Sequence, residues 1–218
     1  MIVDEGVTAE RVADEAGRRS VVGVLSETYH REKRWVTDPA GQIPADDLRR
    51  SDISWFVVKV DGQPAGVLRV LYDPPLAEYA KYGFKLIDAA VSVEDFVRAN
   101  RVAEIGRFAV VPRFRGKFMV AAALMRAATE ETVERGFTHF VTDVFEDDPH
   151  SPFGFHTRVM GFHAVATHDV GELHSRSRRI TLVLDLKACY QRLKLRRSWI
   201  FRYLTGQWAE ALHQRLVA

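Results

Sequence analysis

The stretch Glu104-Ile-Gly-Arg-Phe-Ala-Val-Val-Pro-Arg-Phe-Arg-Gly-Lys117 carries the reading of this chain. Val102 to Val111 is an apolar, β-rich run that reads as a buried strand. Pro112 ends it, because proline has no N–H to give a ladder. Arg115-Gly116-Lys117 then opens a helix over 116–135, with Val120, Leu124, Ala127, Ala128 and Val133 at helical spacing and Gly136 as its stop. The first N–H groups of a helix have no intrahelical acceptor, so such a start attracts anions, phosphate above all. Arg115 and Lys117 add positive charge there. The tripeptide alone also suits an ordinary strand-to-helix turn with surface basic residues.

Outward from this point the chain alternates. Thr138 to Phe145 is a second buried strand, Ser151 to Val159 a short helix closed near Gly161, and Phe162 to Val170 and Arg179 to Leu186 two further strands. Upstream, Ile53 to Val60 and Pro64 to Tyr72 are strands joined by Asp61-Gly62, a hairpin signal. Thr8 is predicted to cap a first helix, and Ser20 to Arg34 a second. Short helices are expected over Leu76 to Tyr82 and from the Ser92 cap to Ala99. This order predicts an α/β (α+β) fold, a mixed central sheet flanked by helices. From Lys187 a single long amphipathic helix is predicted, with Tyr190, Leu193, Ile200, Leu204, Trp208, Leu212 and Leu216 on or near one face. Gly206 is its expected point of bending. The domain expectation is therefore a main unit over 1–186 and a basic helical extension over 187–218, packed on the body or on a partner subunit.

Composition limits the classes. The chain has 218 residues, 47% hydrophobic and 28% charged, the balance of a globular protein. No apolar run approaches the ~18 residues of a membrane span, and no signal-peptide pattern opens the chain, so a cytoplasmic location is expected. One cysteine, Cys189, closes no intrachain disulfide and has no evident activating partner. The net charge is +2, yet residues 172–218 carry ten Lys/Arg against three Asp/Glu, a net of +7, which leaves about −5 for the remainder. A basic segment on an acidic body suits an anionic partner, and equally a solvated helix face. Beyond that charge nothing points to nucleic acid. The histidines between His139 and His174 show no metal-ligand spacing, so no metal is expected.

The strand, the Val-Val-Pro-x-x-Arg-Gly-Lys turn, the helix, the following strand and the distal Gly161-Phe162 occur in an order that resembles the GNAT superfamily of N-acetyltransferases over about Ile53 to Leu186. In that superfamily the loop after the fourth strand cradles the pyrophosphate or pantetheine of an acyl donor. Here Phe118 and Val120 stand where the usual loop has small residues. Tyr29, Trp35, Asp46-Asp47, Arg69 in Gly-Val-Leu-Arg-Val, Phe84 and Glu104-x-x-Arg107-Phe108 together resemble the acyl-homoserine-lactone synthases and the long-chain N-acyl amino acid synthases. Leu25 stands where the lactone synthases place an arginine, and the loop Arg113 to Lys117 and the segment Phe155 to Phe162 look more like the amino acid synthase side.

The resemblance implies transfer of an acyl group, long-chain rather than acetyl, from a phosphopantetheine thioester to the amine of an amino acid or similar small molecule. The donor is acyl carrier protein or coenzyme A, a cosubstrate and not a resident cofactor. Phe108, Ala109, Val110, Arg115, Gly116, Lys117, Phe118 and Met119 would hold it, with backbone N–H groups near Phe108 to Val110 facing the oxyanion. The small residues Ala121 to Ala123 are expected to leave room for an acyl tunnel. Trp35, Arg69, Phe84 and Arg107 would line the acceptor site, the arginines gripping a carboxylate. Glu104 is the candidate general base, directly or through a water. Its alternative is a structural pair with Arg107, which in a strand needs a bulge between the two. The leaving thiolate has no tyrosine at the expected place, so His156 is the candidate acid. The basic C-terminal segment, Arg192, Arg196 and Arg197 included, is the expected dock for an acidic carrier protein, with an anionic membrane surface as competitor. A homodimer is compatible with its apolar face. Two other readings stay open: an ordinary acetyl-CoA-dependent acetyltransferase, and a GNAT-fold binding module without catalysis.

Overall fold

A computed structural model describes residues 6–76, 81–88 and 92–217 of the chain. Eight strands form one sheet: β1 (Val7–Arg11), β2 (Ile53–Val60), β3 (Gln63–Tyr72), β4 (Lys85–Leu86), β5 (Val102–Val110), β6 (His139–Phe145), β7 (His163–His168) and β8 (Arg179–Asp185). Their order across the sheet is β1-β2-β3-β5-β6-β8-β7-β4. Every pairing is antiparallel except β5 with β6, which are joined by a crossover through helix α3 (Phe118–Glu134). The β2–β3 hairpin turns at Asp61 and Gly62, both at positive φ (50° and 77°), as a tight Asp-Gly turn requires.

Both sheet faces are covered. Helix α1 (Glu15–Leu25) packs Val21, Val24 and Leu25 on Trp55, Val57, Val67 and Val111. On the other face α3 sets Val120, Leu124 and Ala128 against Phe56, Val58, Leu68 and Phe140. The central strands are apolar at successive positions because they bury both faces. Gly66 sits where α3 presses hardest: a Cβ there would lie 2.9 Å from Val120 Cγ1 and 3.0 Å from the Ala109 carbonyl oxygen, so no side chain fits without displacing α3.

Several expectations change. Thr8 caps no helix; it lies in β1, paired with Lys59 of β2, while Val7 and Ala9 pack on the core. The cap passes to Asp14, whose carboxylate accepts from Gly17 N at 2.8 Å. The helix predicted from Ser20 instead starts at Glu15 and widens into a π-turn over Ser26–Glu32. The Ser92 cap holds, starting helix α2 (Val93–Ala99). The helix expected over 76–82 falls largely outside the described residues.

The long C-terminal helix is three: α4 (Leu186–Leu195), α5 (Trp199–Thr205) and α6 (Glu210–Val217). The breaks fall at Arg197, in the left-handed region (φ 48°), and at Gly206, where the backbone turns before Trp208. The predicted apolar positions are all buried, and they belong to the same core as α3. The segment is thus an integral layer of the fold. Among the described residues no helix is long and apolar enough to cross a membrane.

Candidate active site

The site arises where β5 leaves β6. The two strands pair in parallel from Val102↔His139 to Ile105↔Thr142, and the Thr142 hydroxyl donates to the Ile105 carbonyl at 2.9 Å. Beyond that point β5 follows β3 alone. Arg69↔Gly106 and Val67↔Ala109 leave Arg107 and Phe108 opposite Leu68, a bulge that bends β5 away from β6. Arg107 takes the left-handed conformation (φ 54°), which costs a non-glycine residue roughly 1–2 kcal/mol and is held by the surrounding structure.

The bulge forms, but the partner of Glu104 is Arg69 and not Arg107. Arg69 Nη2 donates to Glu104 Oε1 at 2.9 Å, with both side chains largely buried. Gly106 makes room for this pair, since a Cβ there would meet Arg69 Nη2 at 3.0 Å and Glu104 Oε1 at 3.1 Å. Arg107 reaches the other way, donating to Gln42 Oε1 and Glu172 Oε2, each at 2.9 Å. Strand neighbours three apart diverge, and the cross-strand register brings Arg69 to Glu104 instead.

Two clefts open on either side of the break. The first is lined by Glu104, Gly106, Arg107, Phe84, Glu172 and Arg179, among others. The second is lined by Trp35, Phe108, Arg115, Val144, Asp148 and His156, among others. Tyr29, Thr142, Asp143 and Phe145 line both. Phe84 and Arg107, expected to line the acceptor site, line the first cleft, and Arg69 is tied to Glu104 of that cleft. Trp35 falls in the second, edge-on to Tyr29 and against Phe145, with ring centroids 5.1 and 4.2 Å away.

At the second cleft, Tyr29 Oη donates to the Phe108 carbonyl at 3.4 Å and Arg115 Nε to the Val110 carbonyl at 3.1 Å. These carbonyls point away from β3. In extended backbone the N–H and C=O of one residue share a side, so the N–H of Val110 also points away from β3. Ala109 is turned to the α1 face of the core. At the start of α3 no hydrogen bond of the described residues uses the N–H of Gly116, Phe118 or Met119. A Cβ on Gly116 would meet open space. Lys117 is exposed, its Nζ 5.7 Å from the Phe114 ring centroid.

Arg115 departs from the expected free phosphate ligand. Its guanidinium forms a two-pronged pair with Glu32 at 2.7 and 2.5 Å, and holds the Glu32 carboxyl below its usual range. It latches the π-turn after α1 to the loop before α3, as Arg113 does through Glu27. The alanines of α3 also depart from expectation. Ala121 is partly exposed, while Ala122 and Ala123 are fully buried in the core, and none of the three lines either of these two clefts.

His156 has no exposed surface, and burial alone pushes its pKa down to about 3. A ring that stays neutral at physiological pH has no proton of suitable acidity for a leaving thiolate, so the general-acid expectation fails on desolvation. Cys189 is buried, its Sγ donates to the Met160 carbonyl at 3.0 Å, and burial raises its pKa; it is no nucleophile.

Sequence reasoning passed over Asp143, Thr142, Glu172 and His168. Tyr29 is recognisable only as one member of the motif set, and its burial raises the phenol pKa to about 12. Asp143 carries no sequence signal: its place on both clefts comes from the splay of β5 and β6. Its Oδ1 accepts from Thr181 at 2.7 Å and its Oδ2 lies 3.0 Å from His168 Nε2. His168 Nδ1 faces the Val170 carbonyl at 2.7 Å. Nδ1 thus meets an acceptor and Nε2 stands at ion-pair distance from a carboxylate, which favours the imidazolium. Burial lowers the His168 pKa, but the hydrogen bond and charge of Asp143 outweigh it, and the net shift is upward. A raised pKa stabilises the fold fully below the unfolded value of about 6.5, and this contribution disappears as pH rises through the higher folded value. The expected result is that the gap in melting temperature between wild type and His168→Gln is wide at pH 6 and closes by pH 9. A gap independent of pH would show that His168 acts by packing alone.

A protein-family model described as the acetyltransferase (GNAT) family matches residues 19–162, and the chain belongs to that family of acyltransferases. No curated protein matches the chain by sequence. Among solved structures it is similar to FeeM, an N-acyl amino acid synthase from uncultured soil microbes, with TM-score 0.65, 14% identity and coverage of 87% of this chain and 96% of that one. It is also similar to the ribosomal-protein-S18-alanine N-acetyltransferase from Escherichia coli (TM-score 0.52, 14% identity, 83% and 94% covered). A third is RimL, a ribosomal L7/L12 α-N-protein acetyltransferase in complex with coenzyme A (TM-score 0.54, 13% identity, 82% and 94% covered). At these identities the likeness is one of fold.

Proposed function

We propose that this enzyme moves a long acyl group from a phosphopantetheine thioester to the amine of an amino acid or a similar carboxylated small molecule. The observation that carries the reading is the meeting of the two clefts at Tyr29, Thr142 and Asp143, where β5 and β6 part. The second cleft, with the open N–H groups at the start of α3 beside it, suits the pantetheine arm and its phosphates. The first cleft mixes Arg107 and Arg179 with Glu104, Asp143 and Glu172, a lining suited to a molecule that carries both a carboxylate and an ammonium.

In this reading Glu104 takes a proton from the acceptor ammonium through a water. The freed amine attacks the thioester carbonyl directly, and the oxyanion faces the N–H of Val110. The C–S bond then breaks, the nitrogen gives its second proton to solvent water, and the thiolate leaves beside the Tyr29 phenol and takes its proton from solvent. Carrier-protein docking belongs on the exposed Lys194, Arg196 and Arg197 of the α4–α5 turn. Arg192 is excluded from that surface, because its guanidinium is tied to the Val159 and Met160 carbonyls.

Amine-dependent release of thiol from an acyl-CoA tests the reading. An α-amino acid is expected to support release about tenfold or more faster than the amine obtained by removing its carboxylate, since the guanidinium cluster then goes unmatched. Equal rates with both amines would remove the carboxylate from the acceptor, and release indifferent to any amine would remove N-acyl transfer.

A further inference from the structure

We propose that His156 is a neutral hydrogen-bonding residue for the donor's pantetheine arm, its imidazole meeting an amide or thioester carbonyl in the second cleft. This rests on the reading of that cleft as the donor's. The ring lines the cleft yet has no exposed surface of its own. Neither ring nitrogen has a hydrogen-bond partner among the described residues. Its neighbours are aromatic: Phe108, Phe155 and Phe162 lie with centroids 5.2, 5.7 and 4.9 Å away.

A buried imidazole in that state has given up water and received nothing in exchange, which folded proteins rarely tolerate. The backbone does not let it escape. His156 lies in a π-turn over Phe155–Met160, and its carbonyl accepts from both Gly161 N (2.8 Å) and Phe162 N (3.0 Å). Such turns recur at functional sites. The orphaned ring is thus held in place at the wall of a cleft, and a ligand group is the missing partner.

The surroundings define the chemistry of that partner. A phosphate beside the ring would call for the imidazolium, which the aromatic enclosure and the absence of exposed surface disfavour. A neutral dipole does not, and a pantetheine arm offers its two amides and the thioester carbonyl. The phosphates have their own place at the start of α3. His156 is then a binding and positioning residue that does not change protonation during turnover.

The test is titration calorimetry with two probes, coenzyme A and adenosine 3′,5′-bisphosphate, on wild type, His156→Phe, His156→Leu and His156→Asn, with melting temperatures of the free proteins. At least one apolar variant is expected to melt a few degrees above wild type, because the unsatisfied ring is gone. Both apolar variants should bind coenzyme A about tenfold more weakly and the bisphosphate, which lacks the arm, unchanged. His156→Asn, which restores a neutral donor and acceptor, should recover most of the coenzyme A affinity. Unchanged coenzyme A affinity in the apolar variants overturns the proposal. So does an equal loss for both probes, which would place the ring beside the phosphates or the nucleotide. Wild type that binds neither probe removes the donor reading of the cleft itself.

Discussion

Glu104→Gln is expected to lower turnover about 10²- to 10⁴-fold while leaving donor affinity and the fold largely intact. Glutamine keeps the shape of the side chain and can still accept from Arg69 Nη2, the bond that now measures 2.9 Å. What it loses is basicity. An amine acceptor arrives as an ammonium at neutral pH and is no nucleophile until a proton leaves. In the wild type Arg69 and Glu104 form a partly buried ion pair, and the variant exchanges that pair for a neutral hydrogen bond. A modest drop in melting temperature accompanies the loss of turnover, and the two are separated by measuring kcat together with coenzyme A affinity. Near-normal turnover across pH would move the base to Asp143, the carboxylate that lines both clefts.

The second large effect is the dependence on donor chain length. With acyl-CoA donors of increasing length, kcat/KM is expected to climb from acetyl to hexanoyl by about two hundredfold, then level off. The estimate takes ~0.8 kcal/mol for each methylene moved from water into an apolar wall, over four methylenes. The wall available is aromatic: Trp35, Phe108 and Phe145 line the second cleft, with Tyr29 at the seam. The acyl chain has these rings to lie against. A flat or falling series from acetyl to dodecanoyl would make the enzyme an ordinary acetyltransferase. No response to any donor would leave the binding-module reading.

Much of the fold was legible in the chain because it rests on local physics. Runs of β-branched and aromatic residues, Asp61-Gly62, Pro112 and Gly136 mark strands and their ends, and the Val120 to Val133 spacing marks α3. Each of these signals acts through a few neighbouring residues. The misreadings share a different cause. Val7–Arg11 is too short and mixed to declare itself as a strand; only the open edge of β2 makes it one. The C-terminal apolar face reads as one helix because periodicity survives a short break, whereas the bends at Arg197 and Gly206 are imposed by packing against α3 and its neighbours.

The site divides in the same way. The chain by itself determined the strand–turn–helix that carries Glu104, Phe108 and the α3 start, since all of it lies within one continuous stretch. It also placed Arg69 and Phe84 among the residues of interest through the resemblance. Who pairs with whom was left to the tertiary structure. Arg69 rather than Arg107 meets Glu104 because cross-strand register outranks sequence distance. Arg115 meets Glu32, 83 residues away, because α1's π-turn folds over the loop. His156 is neutral because three aromatic side chains from β5, the π-turn and Phe162 enclose it. Asp143 reaches both clefts because β5 bulges and parts from β6. Desolvation and long-range pairing depend on which surfaces meet, and no window along the chain contains both partners.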